Sequence, residues 1–176
     1  MVTGVNGSLR DMARRIEHLT ETTWPAADVY AALVDESYLR ARLEVLGGSG
    51  GALLSHAVTA TGVAYELRQG VSSADLPPIA SKVLGGDLVI KRAESWTEAG
   101  RTCTSRVDIA GVPGELDGTM TVADKPGGGS TITLTGQVKV KIPLVGGKVE
   151  EMVVEQVAKL LDKETEFTSQ WLARRG

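Results

Sequence analysis

GGKVEEMVVEQVAKLLDKETEFTSQWLA, Gly146 to Ala173, is one uninterrupted amphipathic pattern, and it follows a run of segments that alternate like strands. A helix of about 28 residues is about 40 Å long, too long to cap a small sheet at one end. It must lie across the sheet, and a helix laid across a curved sheet tends to enclose a cavity. The order of elements therefore describes a container before it describes a reaction.

Working back from that helix, the clearest strand comes immediately before it. Ile132, Leu134, Gly136, Val138, Val140 and Ile142 alternate with Thr131, Thr133, Thr135, Gln137, Lys139 and Lys141, the pattern of an antiparallel strand with one wet face and one inner face. The turn Lys125-Pro126-Gly127-Gly128-Gly129 separates it from a strand over Leu116 to Asp124, with Leu116, Met120 and Val122 on one face. Further strands are expected over Leu53 to Thr61, Val63 to Val71, Leu88 to Thr97 and Thr102 to Ala110. Between the second and third of these, SADLPPIASKVLGGD reads as a stiff turn and a short amphipathic helix. It is either a lid over the mouth of the container, a greasy contact for a partner, or a helix packed outside the sheet.

The first strand falls over Arg14 to Trp24 and stops at Pro25, which lacks the ladder donor and suits the first turn of a helix. Val29, Leu33, Leu39, Leu43 and Leu46 then predict two short helices with a corner at Asp35-Glu36-Ser37, and Gly47-Gly48 stops the second. Met1 to Asp11 carries no sustained period and reads as a disordered leader. Met12 opens the patterned region and is an alternative start, beside the plainer reading of a floppy native terminus.

The chain has 176 residues, 42% of them hydrophobic, and a net charge of −3, so bulk charge gives no reason to expect nucleic acid as a partner. One cysteine excludes an internal disulfide framework and fits a reducing, cytoplasmic setting. No apolar run approaches a membrane span, so no stable membrane insertion is expected. The two histidines sit on different expected strands without metal spacing, and GGSGG near Gly48 lacks the lysine of a phosphate loop. No cofactor and no metal is expected.

The element order β-α-α-β6-α resembles the helix-grip fold of START-like and Bet-v-1-like proteins, the SRPBCC superfamily. Two stretches carry the likeness: TETTWPAADVYAALVDESYL, Thr20 to Leu39, and KIPLVGGKVEEMV, Lys141 to Val153. The second places Pro143 and Gly146-Gly147 before the long helix, as in small bacterial members, and looks closest to an uncharacterised actinobacterial branch of unknown function. The resemblance implies an α+β fold: a curved antiparallel sheet of about seven strands, two short helices after the first strand, and the long helix across the sheet. It makes residues 12–176 one domain. It also implies binding of a lipid-like or polycyclic molecule, with polyketide cyclase or dehydratase chemistry, or a cargo-free partner-binding role, as alternatives.

The residues themselves nominate a lining. Advancing about 100° per residue from Val149 puts Val153, Val157, Leu160, Phe167 and Trp171 in one sector of the long helix, with Glu164 among them. A carboxylate there is either a polar handle for a ligand or sits in water, and the frequency with which helix ends project from their sheets weighs toward water. Leu88, Ile90, Arg92, Glu94 and Trp96 share a strand face. If that face is inward, Arg92 pairs with a carboxylate such as Glu164; a bulge that turns the middle of the strand outward is the competing reading, and it is weighted above the first. Tyr65, Met120 and Leu134 complete the expected ligand-binding set of Tyr65, Arg92, Glu94, Trp96, Met120, Leu134, Val153, Leu160 and Glu164. No catalytic residue is assigned. Cys103 is expected to point inward as a small hydrophobe, and His18 to lie on the surface or the pocket wall.

Overall fold

The computed structural model describes residues 13–175; the expected leader, Met1 to Asp11, and Met12 lie outside them. Strand β1 (Arg14–Thr22) leads through Pro25 into helices α1 (Ala26–Leu33) and α2 (Glu36–Leu46). Strands β2 (Ala52–Val58) and β3 (Gly62–Val71) form a hairpin, a short helix α3 (Pro78–Leu84) follows, and β4 (Leu88–Thr97), β5 (Thr102–Ile109), β6 (Gly114–Asp124) and β7 (Ser130–Val140) continue as a meander. Helix α4 (Gly146–Arg175) ends the described chain. The strands form one seven-stranded sheet in the order β1-β7-β6-β5-β4-β3-β2, antiparallel throughout. This is the expected helix-grip architecture, with the long helix against β1 and β7 and α1 and α2 closing the same face.

Local chemistry sets the corners. The Asp35 carboxylate accepts from the Ser37 and Tyr38 backbone N–H groups at 2.7 and 3.3 Å and so caps α2. The Asp124 carboxylate takes the Ala26 N–H at 2.8 Å and ties the start of α1 to the end of β6. Gly136 lies opposite Gly118, and a Cβ on Gly136 would stand 2.3 Å from the Asp117 carbonyl oxygen, so only glycine lets β7 bend so closely on β6. Gly146 starts α4 where a Cβ would meet the Val140 carbonyl oxygen at 2.7 Å, and Glu150 in the first turns accepts the Val140 N–H at 2.8 Å.

The core fills the space between the inner sheet face and the helices. Ile16, Leu67, Trp96, Cys103, Val122 and Val138 from the sheet meet Val29, Leu39, Val149 and Val153 from the helices. Helix α4 does not present one straight stripe, however. Its buried positions are Val149, Met152 and Val153 in the first half and Leu161, Glu164, Thr165 and Thr168 in the second. At about 100° per residue the second set is rotated by roughly a third of a turn from the first. The sheet twists beneath the helix, so different faces meet it along the length. Phe167 and Trp171, kept in the expected sector, turn instead to Tyr38 of α2, each with a ring-centroid distance of 5.7 Å.

The segment around α3 settles as a packed element: Leu76 and Ala80 are buried, and α3 lies against α4. Among the described residues no helix is long and apolar enough to cross a membrane.

Asp35 generates a test of this frame. Burial opposes its charged form, but the hydrogen bonds from Ser37 and Tyr38 and the nearby Arg175 charge win and hold its carboxyl below the ordinary value. A depressed carboxylate contributes stability above its unfolded pKa and loses it as pH falls through the folded one. Asp35→Ala is expected to cost about 1 kcal/mol in urea unfolding at neutral pH, with the difference from the parent chain shrinking below about pH 3.9.

Candidate functional site

Strand alternation puts Arg92, Glu94 and Trp96 on the inner face of β4, and antiparallel pairing sets Tyr65 of β3 directly opposite Glu94. Arg92 and Glu94 are buried, and no bulge interrupts their strand; the expected outward rotation does not occur. Glu164 is also buried, not in water, because the second half of α4 turns it onto the sheet. Both corrections share one physical reason. Each charge meets an opposite one, Glu94 from Arg92 on its own strand and Glu164 from Arg92 and Arg42 on other elements, so none is left alone in the interior.

Arg92 is the hub. Its Nε donates to Glu94 Oε1 at 2.9 Å, Nη2 donates to the same oxygen, and Nη1 donates to Glu164 Oε2 at 2.7 Å and to Gln69 Oε1 at 3.0 Å. Glu94 accepts a further bond from the Tyr65 hydroxyl at 2.6 Å, and that hydroxyl oxygen accepts the Trp96 Nε1–H at 3.1 Å. From α2, Arg42 brings Nε to 3.6 Å from Glu164 Oε2. Tyr38 and Thr168 exchange a hydrogen bond at 2.6 Å, and the Thr168 hydroxyl donates to the Glu164 carbonyl at 2.8 Å, fixing α2 against α4.

The electrostatics follow from burial and neighbours. Burial alone would push the Glu164 carboxyl up; the Arg42 and Arg92 guanidiniums more than reverse this and hold it below the usual carboxylate range. Burial, and then the Glu94 charge, push the Tyr65 hydroxyl well above its ordinary value, so it stays a donor at neutral pH. Burial likewise pushes up the Cys103 thiol, which lies inward as expected and is inert as a nucleophile.

The cluster borders a small, partly open cavity of about 10 Å³, walled on its apolar side by Leu33, Met120, Ile132 and Leu161. That is room for about one water molecule, far below the ~300–1,000 Å³ of a ligand pocket. In this structure the container has no space of ligand size at the cluster. Of the expected lining, Tyr65, Arg92, Glu94, Trp96, Met120 and Glu164 converge here. Leu134 and Val153 are buried in the core but do not reach the cavity, and Leu160 is half-buried while its neighbour Leu161 takes the wall.

Sequence reasoning missed Arg42 and the polar face of α4, Thr165 and Thr168. A signal for Arg42 existed: with Leu39, Leu43 and Leu46 it occupies one helical stripe, so an arginine stands on the apolar face of α2. His18 is partly exposed and joins Asp162 of α4 at 2.7 Å, and Thr20 joins Thr165 at 2.7 Å beside it. Among the described residues no three His, Cys, Asp or Glu side chains come together as a metal site.

Arg92→Met strands Glu94 and leaves Glu164 with Arg42 alone, and is expected to cost about 3–5 kcal/mol in urea unfolding. Glu164→Gln tests the acid limb. Because the Glu164 carboxyl is depressed in the folded chain, its ion pairs contribute above its ordinary value, about pH 4.3, and fade as pH falls through the folded value. The glutamine variant is expected to lose less stability than the parent between about pH 5 and about pH 3.

An uncharacterized protein of Mycobacterium tuberculosis is 34% identical over 108 residues, 59% of this chain and 62% of its own length, so the match spans under two thirds of that relative. The aromatase/cyclase Zhui from a Streptomyces species superposes with a TM-score of 0.63 at 15% identity, covering 93% of this chain and 96% of that one. A START superfamily protein from Mycobacterium smegmatis gives 0.60 at 15% identity, covering 90% and 98%. These solved structures share the fold. A family model matches residues 17–172, and the chain therefore belongs to the family described as "Protein of unknown function (DUF2505)", whose fold here is the START-like helix grip.

Proposed function

We propose that this protein binds a hydrophobic small molecule, lipid-like or polycyclic, between the sheet and α4, with the Arg92 cluster meeting the polar part of the ligand. The observation that carries the reading is the convergence of Arg42, Arg92, Glu94, Glu164, Gln69 and Tyr65 inside the fold. A buried ionic cluster is a poor source of stability, since well-packed apolar residues of similar volume do as well or better. Titratable groups concentrated in the interior are more often explained by a site. Zhui, whose name is that of an aromatase/cyclase, has the same fold and supports a ring-bearing ligand.

The cavity of about 10 Å³ requires the site to open before it fills. The second half of α4 is held to β1 largely by polar contacts, His18 with Asp162 and Thr20 with Thr165, rather than by a deep apolar seam. Water can replace such contacts, so this half of the helix is the natural place to part from the sheet. A cytoplasmic setting, read from the single cysteine, belongs to the same proposal.

A second reading is favoured by one observation. Tyr65, a hydroxyl held protonated, is bonded at 2.6 Å to a carboxylate, an arrangement suited to proton transfer to a bound carbonyl compound. The partner-binding alternative has less support, because the segment expected to be greasy and exposed is packed on α4.

The test is native mass spectrometry of protein purified without detergent, with extraction of whatever is released, alongside thermal melts with a panel of fatty acids, sterols and polycyclic compounds. A stoichiometric small molecule, or a rise of about 5–10 °C with a ligand at roughly a hundred times its Kd, is expected. A clean apo mass with no shift across the panel would contradict the proposal.

A further inference from the structure

Arg42 is the one charged side chain of the cluster whose hydrogen bonding is incomplete. It is 2% exposed, it lines the cavity, and neither its Nε nor its Nη2 has a hydrogen-bond partner. An unmatched buried donor is costly, and a native interior rarely leaves one without a reason. The other donors around the cavity are spent: Arg92 on Glu94, Gln69 and Glu164, Tyr65 on Glu94, and Trp96 on the Tyr65 oxygen. The unmatched donor capacity of the cluster therefore belongs to Arg42.

Charge narrows what can meet it. Arg42 and Arg92 are balanced by Glu94 and Glu164, so the cluster is already neutral as a set. A ligand carboxylate would bring an uncompensated charge into a site with almost no room for water. A hydroxyl would bring a hydrogen that needs an acceptor; the bonds from Arg92, Tyr65 and Gln69 already fall on Glu94 Oε1, Glu94 Oε2 and Glu164 Oε2, so that hydrogen has to turn to Glu164 Oε1, whereas a carbonyl makes no such demand. A carbonyl oxygen has two lone pairs and no hydrogen, and it would receive charge-assisted bonds from the guanidinium fork. Leu33, Met120, Ile132 and Leu161 face the same space and suit an apolar body.

Resting on the ligand-binding reading above, we infer that Arg42 is the specificity-determining residue of the site and selects an uncharged ligand whose apolar skeleton carries a ketone-type carbonyl. In the closed form, the cavity of about 10 Å³ gives a single water the place that the carbonyl oxygen takes in the open one.

Four probes on one skeleton test this: tetralin, α-tetralone, α-tetralol and the tetralin carboxylate, titrated calorimetrically into the full chain and into Arg42→Met and Arg42→Lys. The lysine variant keeps the charge while removing the fork, so it reads recognition even if the methionine variant fails to fold. In the parent chain α-tetralone is expected to bind roughly 10- to 100-fold more tightly than tetralin, and more tightly than the alcohol or the carboxylate. Both variants are expected to lose most of that preference, and a crystal structure of the complex should place the carbonyl oxygen on Arg42 Nε or Nη2. A ketone preference that survives both substitutions, a carboxylate that binds best, or a complex with water still on Arg42 overturns the inference and leaves the ligand-binding reading standing. Failure of all four probes to bind the parent chain overturns both.

Discussion

The guanidinium of Arg92 is the point on which the interior is organised. It projects from the middle of the sheet into a space where an isolated charge is not tolerated, and it is bonded to a carboxylate two residues along its own strand and to another on the C-terminal helix. Glu164 in turn draws Arg42 inward from α2. One charge on the sheet thereby fixes the azimuth of α4, the placement of α2 and the donors left facing the cavity. The hydrogen bond of Tyr38 with Thr168 ties α2 to α4, and that of Thr168 with the Glu164 carbonyl, within α4, orients the hydroxyl.

This divides α4 into two parts with different physics. The first half seals the core with Val149, Met152 and Val153, and its start is anchored on β7 through Gly146 and Glu150. The second half meets the fold through Glu164, Thr165 and Thr168 and through the aromatic contacts of Phe167 and Trp171 with Tyr38. Apolar burial makes the first half a fixed grip. Polar contacts supply much of the second half's hold on β1, and the cavity lies under it.

Much of the frame was legible in the chain. The alternation from Thr131 to Ile142 is visible because one face of β7 is wet, and the length of α4 is visible because nothing interrupts it. The site was legible only in outline. Strand period put Arg92 and Glu94 on the inner face, yet their burial depends on Glu164, 72 residues away from Arg92, and no local pattern reports a pairing at that distance. Leu160 was expected where Leu161 stands because a helical wheel assumes one constant facing direction, whereas the sheet under α4 twists. Arg42 was visible as an arginine among leucines, but its role depends on the charges of two other elements, β4 and α4.

The central claim is that the buried cluster is kept for recognition and not for stability. The most direct test replaces it as a whole, Arg42→Met, Arg92→Met, Glu94→Leu and Glu164→Leu in one chain, and measures the unfolding free energy in urea against the parent. The account predicts a folded chain whose stability is unchanged or raised by about 1–4 kcal/mol, with no stranded charge left inside. A loss of about 3 kcal/mol or more relative to the parent would contradict it and make the cluster a structural element of the fold.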